Sequence, residues 1–175
     1  KSLTFTLAGN VLVNSNMWYD TLAENKTYNF KYVFEDLKSI MKRSHINFYS
    51  QQSIIGGKDL GLSAYYNYNS PTDVGDAMTD IGFNMVSLAN YHAFDKKIKG
   101  IENSIKYWTD KNVAYSGTSI SEETRNKNNI INKNGVKVGL LSYTMGTDEV
   151  YKGTYEINIY SDEQAKKDIN DLKDK

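Results

Sequence analysis

"FNMVSLANYHAFDKKIKGIENSIKYWTDKNVAYSG", residues 83–117, decides the fold class. The run FNMVSLAN is short and apolar on both phases, as a strand covered on both faces is. Ile98, Ile101, Ile105 and Trp108 then recur at spacings of three and four, which predicts a helix with one apolar face. VAYSG is a second short buried strand. A helix that separates two such strands returns the chain to the same end of a sheet, so the strands pair in parallel.

The same alternation extends in both directions. SLTFTLAGNVLV (2–13) reads as a buried strand that turns near Gly9 and Asn10. YNFKYVFEDLKSIMKRS (28–44) places Phe30, Val33, Phe34, Leu37 and Met41 on one face of a single predicted helix. HINFYS (45–50) is a strand. QQSIIGGKDLGLSAYYNYN (51–69) is a long loop, and loops of that length are commonly functional. The next helix is predicted with Ser70 as N-cap, Pro71 at its first position and Gly82 at its C-terminal end. NNIINKNGVKVGLLSYT (128–144) reads as a hairpin turning at Lys133, Asn134 and Gly135, its second arm returning through the core. A polar helix follows at 161–175. The order predicts an α/β domain, a layered mixed sheet with flanking helices.

Composition narrows the chemistry. The 175 residues are 39% hydrophobic, enough for a core, and carry no net charge. Arg43 and Arg125 are the only arginines, and neither a neutral balance nor lysine point charges favours nucleic acid. Cysteine is absent, which excludes disulfides, thiolate metal sites and cysteine nucleophiles. No run approaches the ~18 apolar residues of a membrane span, and Lys1 leads directly into a strand without a visible leader.

In parallel sheets ligands gather at the carboxyl ends of the strands. Three segments come to that edge: Asn10, the pair Gln51 and Gln52, and Asn90-Tyr91-His92. His92 stands three residues before Asp95, a spacing that lets a carboxylate orient an imidazole for proton transfer or simply hold it in place. Asn10 equally suits a turn cap, and Gln51 and Gln52 a solvated loop. Tyr65, Tyr66 and Tyr68 could stack on a polymer or pack their own loop. Lys96, Lys97 and Lys99 read as a solvated helix start or as guidance for a polyanion. Gly56, Gly57 and Gly61 do not form a phosphate loop, because no Gly-Lys-Ser/Thr follows.

The stretches LTFTLAGNVLV, NFYSQQSIIGGKDLGLSAYYNYNSP, VGDAMTDIGFNMVSLANYHAFDKKIKGI, YSGTS and NGVKVGLLSYT together resemble the CapA family of bacterial poly-γ-glutamate capsule-synthesis proteins. That family is similar in fold to the calcineurin-type metallophosphoesterases, so the resemblance implies the N-terminal portion of one such domain over 1–175. It implies a metal centre at positions 10, 52 and 91, with His92 as proton donor and Asp95 orienting it. The family pattern has Gly-Asp where this chain has Gly9-Asn10, glutamate where it has Gln52, and Asn-Asn-His where it has Asn90-Tyr91-His92. The further histidine ligands of that fold belong to a C-terminal half, and neither His45 nor His92 lies in such a segment.

Each replacement removes charge or a small oxygen ligand. Two dications ~4 Å apart repel by about 17 kcal/mol at an effective dielectric of 20, and carboxylates normally offset that. Amides offer only a dipole, and a phenol ionises only near pH ~10. The expectation is therefore a pocket of Asn10, Gln52, Asn90 and Tyr91 with no metal or other cofactor, beside a candidate catalytic pair His92 and Asp95. The expected role is binding or assembly in capsule biosynthesis at the bacterial surface, with an anionic polymer such as polyglutamate, or other capsule-assembly proteins, as partner. A complementing chain or a homo-oligomer would complete the domain, and a membrane would be reached only through an N-terminal anchor. The competing expectation is a hydrolase of phosphoesters or polymer bonds, dependent on Mn²⁺, Zn²⁺ or Mg²⁺.

Overall fold

The structure is a computed structural model and describes residues 1–175. Four strands, β1 (Phe5–Val11), β2 (Ile46–Gln51), β3 (Met85–Ser87) and β4 (Ala114–Ser116), form one sheet in sequence order, every pair parallel. Helices α1 (Ser15–Thr21), α2 (Lys31–Phe34) and α3 (Lys38–Met41) connect β1 to β2. Helix α4 (Thr72–Ile81) precedes β3, and α5 (Lys97–Asp110) carries the chain on to β4. The α/β class expected from the alternation therefore stands.

Register explains why the strands need so few residues. Phe48, Met85 and Ala114 align across β2, β3 and β4 on one face, and Tyr49, Val86 and Tyr115 align on the other. The second row meets Met78, Ile81, Phe83, Ile101, Ile105 and Trp108 in the main core. Tyr49 packs edge-on against Phe83 (4.9 Å) and Trp108 (6.3 Å). Fully buried side chains of this kind contribute about 1.5–3 kcal/mol each.

Four expectations change in detail. The stripe over 28–44 is not one helix: a 3₁₀ turn at Glu35–Leu37 separates α2 from α3. A 3₁₀ turn has ~3 residues rather than 3.6, so the apolar stripe rotates off the core and Val33 and Leu37 stay exposed. Ile98 is likewise exposed, and α5 buries Gly100, Ile101, Ser104, Ile105 and Trp108 instead. Pro71 takes the N-cap position of α4, because Ser70 is fully buried and its hydroxyl bonds Ser53 Oγ (2.8 Å). The hairpin, β5 (Ile130–Lys133) and β6 (Val136–Gly139), turns at Asn134 and Gly135 with φ of +53° and +68°, the left-handed pair of a two-residue turn. Its second arm does not run through the core. The hairpin is a sheet of its own, laid through Ile131, Val138 and Leu140 on Ile46, Met85 and Ala114. Leu7 and Phe5 of β1 stay exposed on that face.

The C-terminal helix α6 (Asp162–Lys173), capped by Ser161, is fastened by charge. Arg125 grips Asp168 with two bonds of 2.7 and 2.8 Å, and Tyr143 and Gln164 also donate to it. No helix is long and apolar enough to cross a membrane.

Candidate functional site

The parallel pairing carries β1, β2 and β3 to a common carboxyl edge. A register shift between Leu7 and Asn10 bulges β1 and sets Asn10 opposite Ser50, and Val11 opposite Gln51. The Gln52 N–H donates to Val11 O (2.9 Å), and the Asn90 side chain donates to Gln51 O (2.9 Å). These bonds bring the three predicted strand ends together. Asn10 is exposed and Gln52 half-buried, and neither side chain is hydrogen-bonded within the protein. Gln51 is the buried one of its pair: it accepts from the Tyr49 hydroxyl (3.0 Å) and donates to Ser53 O (2.6 Å). Burial raises the Tyr49 hydroxyl well above its ordinary pKa, which keeps that proton in place.

Asn90 is a structural clamp as well as an edge residue. Its Nδ2 reaches the carbonyls of Gln51 and Leu88, and its Oδ1 accepts the His92 N–H (2.8 Å). Tyr91 points outward and is about half exposed, its ring edge-on to His92 at 5.6 Å. Beyond it, the Asp148 N–H donates to Tyr91 O (2.8 Å), which brings the 145–150 loop to this rim.

His92 and Asp95 meet as the spacing predicts. His92 Nδ1 lies 3.0 Å from Asp95 Oδ2, and that oxygen also accepts the Tyr68 N–H at 2.6 Å. The Asn67 amide donates to the Asp95 carbonyl, and the Tyr68 ring stands edge-on to His92 at 4.6 Å. The Asp95 side chain is fully enclosed, while His92 keeps 13% of its side chain in solvent. Burial pushes the Asp95 carboxyl above the usual range, against the Tyr68 and His92 contacts that favour its anion. Asp95 Oδ1 is buried with no partner. With Nδ1 turned to Asp95, Nε2 is the ring nitrogen left to exchange a proton with a bound molecule.

The sequence reading did not single out two features. One is the Asn67 and Tyr68 main chain as the holder of Asp95. The other is a row of polar side chains, one amide and three hydroxyls: Asn10, Ser50, Ser87 and Ser116 align in register across all four strands. Ser142 extends it, 2.5 Å from Ser87 Oγ and donating its N–H to Ser116 Oγ (3.2 Å). A signal was available, because FYS, MVS and AYS put serine at or one residue before the end of three successive strands.

The resemblance implies a metal pair, and the donor set does not fit one. Asn10, Gln52 and Asn90 are neutral amides, and Asn90 has committed both side-chain atoms. Asp95 lies behind the imidazole and is taken by Tyr68 and His92. Nowhere do three or more His, Cys, Asp or Glu side chains gather closely enough to hold an ion. What the edge offers is the free amides of Asn10 and Gln52 beside one oriented imidazole, with the Asp148 carboxylate on the rim near Asp95.

No curated protein matches the chain. Residues 4–175 match the family model described as bacterial capsule synthesis protein PGA_cap, and with nearly the full length covered the chain belongs to that family.

Proposed function

We propose that this protein serves capsule synthesis as a component that binds or assembles the polymer at the bacterial surface, not as a metal-dependent hydrolase. The observation that supports this reading is the loss of charge at the strand-end positions 10, 52 and 91. Asn10 and Gln52 stand where the resemblance asks for carboxylates, and Tyr91 stands where it asks for a small amide. Hard divalent ions require several oxygens, mostly anionic. The uncommitted amides of Asn10 and Gln52 instead suit hydrogen bonding to a polymer of carboxylates and amides, such as poly-γ-glutamate. Tyr91 on this rim, and Tyr65 and Tyr66 in the 51–69 loop, are all exposed and offer aromatic surface for its aliphatic segments.

One observation favours the other reading. His92 is oriented by a buried carboxylate and partly open to solvent, the arrangement of a general acid or base. The two readings separate in a paired experiment on the full-length protein. Phosphoester hydrolysis is assayed with added Mn²⁺ for the parent and His92→Ala, and binding of poly-γ-glutamate is measured for both. Binding without turnover supports the assembly role. Turnover that His92→Ala abolishes replaces it with the hydrolase.

A further inference from the structure

Two adjoining cavities lie at the opposite end of the sheet. At the amino ends of β3 and β4 a 430 Å³ cavity is lined by Asn84, Asn112, Lys127, Asn128, Asn132 and Lys133, among others. At the amino ends of β2 and β3 a second, of 350 Å³, is lined by Lys38, Lys42, His45, Asn47 and Asp80 and shares Asn84 and Lys133 with the first. The two therefore form one trough beneath three adjacent strands. With ~4.8 Å between strands, it spans at least about 10 Å, room for about three residues of an extended chain.

Its lining is one-sided in charge. Asp80 is the only carboxylate in either cavity, and Lys31 and Lys38 already hold it. Lys42, Lys127 and Lys133 have no acidic partner and leave three ammonium groups along the trough. The Asn112 and Asn132 side chains form no hydrogen bond within the protein, and Asn47, only 3% exposed, has an Oδ1 with no partner. No phenylalanine, tyrosine, tryptophan or arginine lines either cavity, and the one imidazole, His45, is held by the Thr4 N–H at Nδ1 (3.1 Å). Stacking on bases and forked gripping of phosphates are thus both missing, and separated point charges with free amides remain.

We propose that this amino-edge trough is a second binding site, distinct from the His92 edge, for an extended polycarboxylate chain. Lys42, Lys127 and Lys133 pair with successive carboxylates, and Asn112 and Asn132 bond the amides or hydroxyls between them. The proposal rests on the capsule reading only for the choice of first probe. One protein with a site at each end of its sheet could hold a growing polymer at two points.

The test measures binding of fluorescein-labelled poly-γ-glutamate and of labelled polygalacturonate, a polycarboxylate without amides. The proteins are the parent, Lys127→Glu/Lys133→Glu, and Lys166→Glu/Lys173→Glu, which makes the same charge change on exposed α6; circular dichroism confirms that each is folded. The trough variant is expected to lose about tenfold or more in affinity, while the α6 variant stays within about twofold of the parent. Equal losses in both variants, no loss in either, or no binding of either polymer overturns the trough. Binding of polygalacturonate alone, lost in the trough variant, keeps the site and removes the polyglutamate reading.

Discussion

Asp95 shows how much one side chain decides. Its carboxylate holds the His92 ring and the Tyr68 backbone while fully enclosed, so Asp95→Ala orphans a buried N–H and frees the imidazole. That substitution is expected to cost about 2–3 kcal/mol in urea denaturation. Burial raises the folded-state pKa above the ordinary 3.8, so the folded protein holds this proton more tightly than the unfolded chain. Stability from this group therefore falls as pH rises from that ordinary value through the raised one, and is level above it. Asp95→Asn removes that segment of the pH profile, as melts at stepped pH will show. The His92–Asp95 pairing was legible in the sequence because its spacing is local. The Tyr68 contact was not, because it depends on how the 51–69 loop folds back over that turn.

Among the elements, α6 and the β3–β4 edge carry the clearest predictions. Burial alone would raise the Asp168 carboxyl, but Arg125, Tyr143 and Gln164 outweigh it and hold the group below its ordinary 3.8. The stability this gives is present above that value and is lost as pH falls through the lowered one. Arg125→Ala leaves the carboxylate buried without its cation and is expected to cost about 3–5 kcal/mol. Arg125→Met/Asp168→Leu is expected to recover part of that loss, with a weaker acid dependence, in the same denaturation assay. At the sheet edge Gly117 has φ of +120°, and a Cβ there would lie 2.2 Å from the Ala89 nitrogen. Gly117→Ala is expected to destabilise by at least about 2 kcal/mol, read as a lowered urea midpoint. The helix–strand alternation announced most of these elements. The split of α2 from α3 and the detachment of the hairpin were hidden, because periodicity reports an apolar face but not which surface it meets. Nothing local marks Arg125 and Asp168 as partners, 43 positions apart.

For the whole molecule, the parallel order β1-β2-β3-β4 does the positioning: it sends Asn10, Gln52 and Asn90 to one edge and the lysine-lined trough to the other. That convergence was readable in advance, since parallel strands must end together. The serine row across the sheet was not, although its repeats were in plain sight, because register emerges only when the strands pair. The amides at positions 10 and 52 separate this chain's sequence from the family pattern it resembles, and charge is what a metal pair would require. Restoring the anions tests the same point in reverse: Asn10→Asp/Gln52→Glu is expected to gain divalent-ion affinity over the parent. The most direct measurement is calorimetric titration of the unmodified protein with Mn²⁺. The account predicts no saturable uptake of two ions at micromolar concentrations, and two ions bound per chain in that range would contradict it.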